Sequence, residues 1–483
     1  LCLSLKFFIS VQKHRLAETF SVVNPVVEIK NREQLLQNAQ TPRLNKARAL
    51  ALRCLEEAVN AVEPKQLLKN KLIKKNSQLR IDDLVFDLDK FERVFVVGGG
   101  KAGAAMTQAV EKVLGMRITG GVVNVPYGSK RPTQKVELQE AQHPVPDQAG
   151  VEGTRRIMQI AQEATAQDLV ICLISGGGSS LMPLPRQGIS LEDKQALTNM
   201  LLKSGADITE VNIVRNHLSA FKGGWLAKNA YAATVLNLVL SDVMGDPLDA
   251  IASGPTVPDS STFGDAQGIL EKYGLWLKAP VAVRELITEG AESMIEETPK
   301  AQDPAFKNVH NVVIGNNRTA SQAALKCLQS EGINTLLLAD LLEGEAKDVG
   351  EAFAKFAVGV VVSDTPIPKP VGVVAGGETT VTVRGEGLGG RNQELALASA
   401  LNLGGLEECV IASFSTDGVD GPTDAAGAIV DGYTLKRAKQ AGLNPEEYLA
   451  RNDAYHFFSK LGDLIHTDAT GTNVNDISVI IAL

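Results

Sequence analysis

The chain has 483 residues, 44% of them hydrophobic, and a formal net charge of -8; that length exceeds a single hydrophobic core, so two domains are expected. The acidic balance argues against a nucleic-acid partner, and no stretch reaches the ~18 apolar residues of a membrane span. Five scattered cysteines (Cys2, Cys54, Cys172, Cys327, Cys409) without a CxxC pair point to a reducing compartment, away from a disulfide frame or a zinc site.

Residues 1–17 carry Lys6, Lys13, His14 and Arg15 and no acid, the composition of a weak organellar transit peptide. The expected location is the cytoplasm, with the mitochondrion as the alternative, and residues 1–45 stand as an unassigned extension. Lys71, Lys74 and Lys75 read as a solvated helix face. Beyond them, short β-branched runs alternate with helical patterns, the signature of α/β layering.

Residues 91–97 form the first strand candidate, followed by glycines and then Met106, Ala109, Val110 and Val113 at helical spacing. Residues 169–174 and 234–240 are continuous apolar runs, which suit strands buried on both faces. Two helices lie between them. Ser190 with Asp193 fits a capping pair ahead of Leu197, Met200 and Leu201, and Val211, Val214, Leu218 and Phe221 make the next stripe before Gly223 and Gly224. Residues 298–311, with Pro299 and Pro304, read as a linker dividing a first domain at 46–300 from a second at 309–483. The second holds strand candidates at 309–314, 335–338, 371–375, 380–383, 410–414 and 477–482, with a return of the last to the first domain left open.

The chemistry-bearing segments sit just after these strands, where open α/β sheets bind ligands. Gly98-Gly99-Gly100-Lys101-Ala102-Gly103 matches GxGxxG, a weak signal by itself. The following strand offers Asn124 where a dinucleotide-binding protein would place an acid for the ribose, and Lys101 suits charge stabilisation of a transferring phosphoryl group. Ser175-Gly176-Gly177-Gly178-Ser179-Ser180 supplies amides and hydroxyls for an anion without being a Walker A loop. Asp242 and Asp246, four residues apart at a strand end, could hold Mg²⁺ together with waters. Gly389 and Gly390 precede Arg391 and Asn392 at a helix start, where a guanidinium grips carboxylate or phosphate. Asp417, Asp420 and Asp424 among glycines suggest a metal or base site. His143 and His217 form no metal pair, and no GxSxG or Ser/His/Asp order supports a hydrolase.

Taken together the motifs resemble the glycerate 2-kinase (MOFRL) family. The matching segments are VGGGKA at 97–102, HPVPD at 143–147, LISGGGSSL at 173–181, RNHLSAFKGG at 215–224 and LSDVMGDPLDAIASGPTV at 240–257. They continue with AGGETTV at 375–381, GLGGRNQELAL at 387–397, STDGVDGPTDAAGA at 415–428 and HTDATGTNVND at 466–476. The resemblance implies a larger Rossmann-like N-terminal domain and a smaller C-terminal MOFRL α/β domain, with the active site in the cleft between them. It implies phosphoryl transfer from ATP, with Mg²⁺, to the 2-hydroxyl of D-glycerate, and it places the family's catalytic lysine on Lys101 and its active-site arginine on Arg391.

On this reading Lys101, Arg391, Asp242 and Asp417 are the catalytic candidates. Gly98, Gly99, Gly100, Ser175, Gly176, Gly177, Gly178, Ser179, Ser180, Gly389, Gly390 and Asn392 are candidates for phosphate or nucleotide binding. Lys222, Glu378, Thr472 and Asn473 are candidates for substrate, and Asp242, Asp246, Asp417 and Asp420 for the metal. The partners are D-glycerate and ATP, with no nucleic acid and no membrane, and a homodimer is the assembly allowed for. The rivals are an NAD(P)H-dependent hydroxypyruvate reductase, resting on GxGxxG, and a non-catalytic sugar-acid sensor.

Overall fold

The computed structural model describes residues 27–483, so the transit-like segment at 1–17 lies outside the described residues. A small antiparallel sheet of β1 (Leu72–Lys75), β2 (Gln78–Ile81) and β3 (Leu84–Asp87) precedes two larger ones. The first large sheet is wholly parallel. It contains β4 (Arg93–Gly99), β5 (Gly120–Pro126), β6 (Val136–Ala141), β7 (Asp168–Ser175), β8 (Thr234–Leu240) and β9 (Val309–Gly315), in the order β6-β5-β4-β7-β8-β9. All eight residues of β7 are buried, as its apolar run at 169–174 requires of a strand covered on both faces.

The strand order reverses between β4 and β7. The chain runs outward from β4 through β5 to β6, then returns to start β7 on the other side of β4. That reversal opens a crevice at the carboxyl ends of β4 and β7, which is where doubly wound sheets bind ligands. Both glycine loops, 98–103 and 175–180, emerge there.

The second large sheet is mixed. It comprises β10 (Asn334–Leu342), β11 (Val371–Gly377), β12 (Cys409–Ser415), β13 (Gly427–Asp431), β14 (Leu464–Ile465) and β15 (Asp476–Ala482), in the order β10-β11-β15-β12-β13-β14. The β15 strand lies antiparallel between β11 and β12, so the last strand stays in this sheet and does not return to the first. Residues 380–383, expected as a strand, make only an isolated bridge from Thr380 to Glu345 and otherwise run as a loop.

The division expected at 300/309 differs from what the chain does. Residues 309–315 pair with β8 as the sixth strand of the first sheet, so the proline-rich stretch before them is a connection inside that unit. The helix Pro42–Ala61, on the other side of the sequence, packs against the second sheet. Thr41 caps it by accepting the Leu44 amide at 3.2 Å, Pro42 opens its first turn, and Leu44, Ala47, Ala51, Leu55 and Ala58 form its buried stripe. Arg48 on that stripe is fully buried. Its Nε donates to Asp431 Oδ2 at 2.7 Å and its Nη1 to Asp463 Oδ1 at 2.9 Å, fixing the helix to the ends of β13 and β14. One continuous core therefore includes Leu52 and Leu55, Leu240 and Ile314 of the first sheet, and Ile477 and Val479 of the second. No described helix is long and apolar enough to cross a membrane.

Candidate active site

The first glycine loop acts through packing. Gly98 has φ +133°, and a Cβ there would lie 2.1 Å from the Leu173 carbonyl of β7; at Gly100, φ +148°, it would lie 2.1 Å from Ser175 Oγ. The loop amides are already engaged. Gly100 donates to Asn124 O (3.1 Å), Lys101 to Gly176 O (2.8 Å), Ala102 to Ser175 Oγ (3.0 Å) and Gly103 to Gly100 O (3.0 Å). Gly98, Gly99 and Gly100, expected as phosphate binders, are the positions at which β4 comes close to its neighbouring strands, holding Lys101 at the crevice. Asn124 is consumed as well, its side-chain amide donating to Leu181 O at 2.7 Å and Gly150 O at 3.1 Å.

The second loop is more open. Among the described residues no protein acceptor takes the amides of Gly177, Gly178 and Ser179, and Gly177 adopts φ +80°. Gly176 is required because the Asp242 carboxylate would lie 2.0 Å from a Cβ there; Gly177 faces the His143 ring in the same way at 2.9 Å. Ser180 Oγ donates to Gly177 O, and Ser179 Oγ pairs with Ser253 Oγ at 2.8 Å.

From the second sheet, Arg391 opens the helix Arg391–Asn402. Its Nε and Nη2 grip the two oxygens of Asp476 at 2.5 and 3.1 Å, and Nη1 bonds Glu378 at the end of β11. Burial drives the Asp476 carboxyl up, against the attraction of Arg391. Asp420 lies behind this helix start. Its oxygens accept the amides of Asn392 (3.1 Å) and Gln393 (2.9 Å), so it caps a helix whose own N-cap is Gly390. Asp420, a candidate for the metal, thus spends its oxygens on the helix start, and Asn392, a candidate for phosphate, is buried between Asp420 and Ser413, bonded to both.

Lys101, Asp242 and Arg391 line one cavity of about 1080 Å³ together with Glu378, Gly389, Gly390, Asp417, Asn473 and Asn475. Lys101 Nζ stands 3.8 Å from Asp417 Oδ2, and Asp417 Oδ1 is steadied by Ser415 Oγ (2.9 Å) and the Val419 amide (3.0 Å). Burial raises the Asp242 carboxyl to about 6; Lys101 opposes the rise, and Glu378 and Asp417 add to it. The cavity wall holds six carboxylates (Asp242, Glu343, Glu378, Glu394, Asp417, Asp420) against two cations. A second cavity of about 510 Å³ shares Lys101 and Asp417 and adds Lys130, Arg131 and His143. Burial, then Lys101, lowers the His143 imidazole, which favours its neutral form.

Asp246 does not line the main cavity. It accepts from Asn316 Nδ2 and lines, with Asp242, Arg318 and Asp340, an adjoining cavity that shares Asp242 and Asn475 with the main one. Thr472 Oγ1 donates to Val62 O at 2.7 Å and lines the second cavity with Lys101, and Lys222 is buried against the second glycine loop, outside the main cavity. Sequence reasoning missed Asp476 as the partner of Arg391, because the two are 85 positions apart and no local pattern joins them.

Residues 50–288 match the model of a domain of unknown function, DUF4147, and residues 371–476 match the MOFRL family. A Thermotoga maritima protein named D-glycerate 2-kinase is 43% identical over 89% of this chain and 97% of its own. The chain belongs to the MOFRL-containing glycerate kinase family. The crystal structure of a glycerate kinase from Thermotoga maritima superposes with a TM-score of 0.82 at 43% identity, covering 90% of this chain and 99% of that one. A family relative from Agrobacterium vitis, 39% identical over 90% of this chain and 94% of its own, is provisionally named a hydroxypyruvate reductase.

Proposed function

We propose that the chain transfers the γ-phosphoryl group of ATP to the 2-hydroxyl of D-glycerate, in the cytoplasm, giving 2-phosphoglycerate and ADP. The observation that carries the reading is the placement of Lys101 and Arg391, from the two sheets, on one cavity whose other charged side chains are carboxylates. Phosphoryl transfer through a loose transition state rewards positioning and charge more than covalent chemistry. Lys101 is held by its backbone bond to Gly176 and can meet charge on the transferring group without reorganising. Arg391 is pre-oriented by the Asp476 fork, and the part of its guanidinium that faces the cavity is bonded to Glu378, the contact an incoming anion would replace. The open amides of Gly177 to Ser179 suit phosphate oxygens at the crevice.

Two facing carboxylates, Asp242 and Asp417, fit a magnesium ion that takes its other ligands from phosphates and water. Mg²⁺ would offset the excess of acids around a polyanionic nucleotide.

The test is to incubate the protein with D-glycerate, ATP and Mg²⁺ and couple the product to enolase without phosphoglycerate mutase. A glycerate-dependent signal supports both the kinase and the 2-position. A signal only after mutase addition rejects the 2-position, and no ADP release rejects the kinase. The Agrobacterium name favours hydroxypyruvate reduction as a second reading, tested by loss of NADH absorbance with hydroxypyruvate. The amides of 100–103, taken by protein acceptors, speak against that pyrophosphate site.

A further inference from the structure

His143 is half-buried on the wall of the second cavity, beside Lys101. Its Cδ2 and Nε2 lie 2.9 and 3.0 Å from the point a Gly177 Cβ would occupy, and Lys101 Cγ lies 3.4 Å from that same point. The Cδ2–Nε2 edge of the ring is thus turned to the second glycine loop, whose amides at Gly177, Gly178 and Ser179 are open, with the Lys101 stem alongside. His217, His456 and His466 each bond a protein partner through a ring nitrogen. Neither ring nitrogen of His143 does so among the described residues.

The segment that carries His143 is nevertheless fixed. Asp147 Oδ1 accepts the Gly150 amide at 3.0 Å and caps the helix Gln148–Glu163, while its Oδ2 accepts the Tyr127 hydroxyl at 2.8 Å. Pro146 O accepts from Gln195 Nε2 at 2.6 Å. The imidazole is therefore placed by its neighbours and keeps both nitrogens for a ligand.

Charge separates the two cavities that meet at Lys101. The main one sets six carboxylates against two cations, whereas the second sets Lys101, Lys130 and Arg131 against Asp417 alone. Arg131 closes the second from the side, its Nη2 3.2 Å from where a Gly471 Cβ would stand. A nucleotide that brings Mg²⁺ suits the acid-lined cavity, and a bare carboxylate suits the basic one.

We infer that the second cavity holds the hydroxy acid, its carboxylate toward Lys130 and Arg131, and that His143 accepts the proton of the hydroxyl under phosphorylation, an inference that rests on the kinase reading. The hydroxyl oxygen bonds to the γ-phosphorus, and the bond from that phosphorus to the β,γ-bridging oxygen breaks. Its electron pair leaves on ADP. The proton passes from the hydroxyl to His143 and then to solvent. Burial, then Lys101, disfavours the imidazolium and leaves the ring able to accept; Lys130 and Arg131 on the same cavity act in the same sense, and Asp417 opposes them. Because a loose transition state asks little of a base, the contribution sits at the low end for proton transfer, about 10²-fold.

The test starts with His143→Gln, which keeps a polar side chain and removes the proton acceptor. Turnover at saturating D-glycerate and ATP should fall about 10²-fold, with the KM for ATP within about twofold of the parent. His143→Ala should lose as much and regain turnover when imidazole is added, since the cavity of about 510 Å³ admits it. Near-parental turnover in His143→Gln overturns the inference. Loss in His143→Ala that imidazole does not restore overturns it as well, and assigns His143 to packing against Gly177. Should the His143 variants fold poorly, Lys130→Met with Arg131→Met, at exposed positions, still decides the cavity. That double variant should raise the KM for D-glycerate about tenfold, as for loss of one charged hydrogen bond. A rise in the KM for ATP instead would give the cavity to the nucleotide and overturn the inference. Failure of the kinase reading itself would show separately, as a parent chain without glycerate-dependent ADP release.

Discussion

Lys101 and Asp417 face each other at 3.8 Å across the main cavity, one from a loop of the parallel sheet and one from a loop of the mixed sheet. The pair is partly exposed, so it contributes little to stability. Its consequence is for chemistry, because any anion entering between the sheets meets Lys101 with Asp417 already steadying the ammonium. Lys101→Ala is therefore expected to fold normally and to lose about 10²-fold or more in turnover, the scale for one preorganised electrostatic contact. The measurement is ADP release under saturating D-glycerate and ATP, and near-parental turnover would remove Lys101 from the mechanism.

Arg391 couples activity to stability in a way that Lys101 does not. Arg391→Met leaves the Asp476 carboxylate buried and alone, which should cost about 3–5 kcal/mol in urea unfolding as well as most of the activity. Arg391→Met combined with Asp476→Asn removes the stranded charge, so much of the stability should return while the activity does not. If the single variant unfolds at the parental urea concentration, the fork is not holding the buried acid as described.

Much of this arrangement was legible in the chain because it is local. A continuous apolar run followed by glycines marks a buried strand and its turn, and it located Lys101, the 175–180 loop, Asp242 and Asp417 on the correct sheet edges. What was illegible is long-range. Residues 309–315 look like the start of a new unit after prolines, but strand partnership is decided by the edge β8 leaves open. The helix Pro42–Ala61 precedes the first large sheet and yet serves the second, through a buried Arg48 whose partners are near residues 431 and 463. Asp420 was picked as a metal candidate by spacing, and only the fold shows that it also caps the helix starting at Arg391, whose N-cap Gly390 has no side chain to do so. Glycine in a phosphate-like motif was equally ambiguous, as a close strand approach and an open amide demand the same residue.

Asp242 should leave a signature in the pH dependence of stability. Its carboxyl is at about 6 in the folded chain against an ordinary 3.8, so the folded state holds this proton more tightly than the unfolded state. That contribution is fully present below about pH 4 and is lost as the pH rises through 6. At pH 7 the ionised, buried carboxylate costs the fold about 1–3 kcal/mol. Asp242→Asn is accordingly expected to be more stable than the parent by that amount at pH 7, with the difference closing near pH 4. Denaturant unfolding at the two pH values is the check, and a difference that does not shrink on acidification would count against burial as the cause.

The two families of glycine can be separated by alanine. At Gly98 a Cβ would overlap the Leu173 carbonyl at 2.1 Å, and φ is +133°, so Gly98→Ala should destabilise by more than about 3 kcal/mol or abolish folding. At Gly389 the nearest atom to a new Cβ is the Ala454 nitrogen at 3.4 Å, an ordinary contact, and φ is not positive. Gly389→Ala should therefore stay within about 0.5 kcal/mol of the parent. Because Gly389 lines the main cavity and its backbone is not strained, any fall in turnover in that variant reports on ligand fit rather than on folding. Thermal unfolding of the two variants side by side decides the matter: equal loss in both would mean that the glycine loops share one structural role, and the distinction between close-packing and ligand-facing glycines would fail.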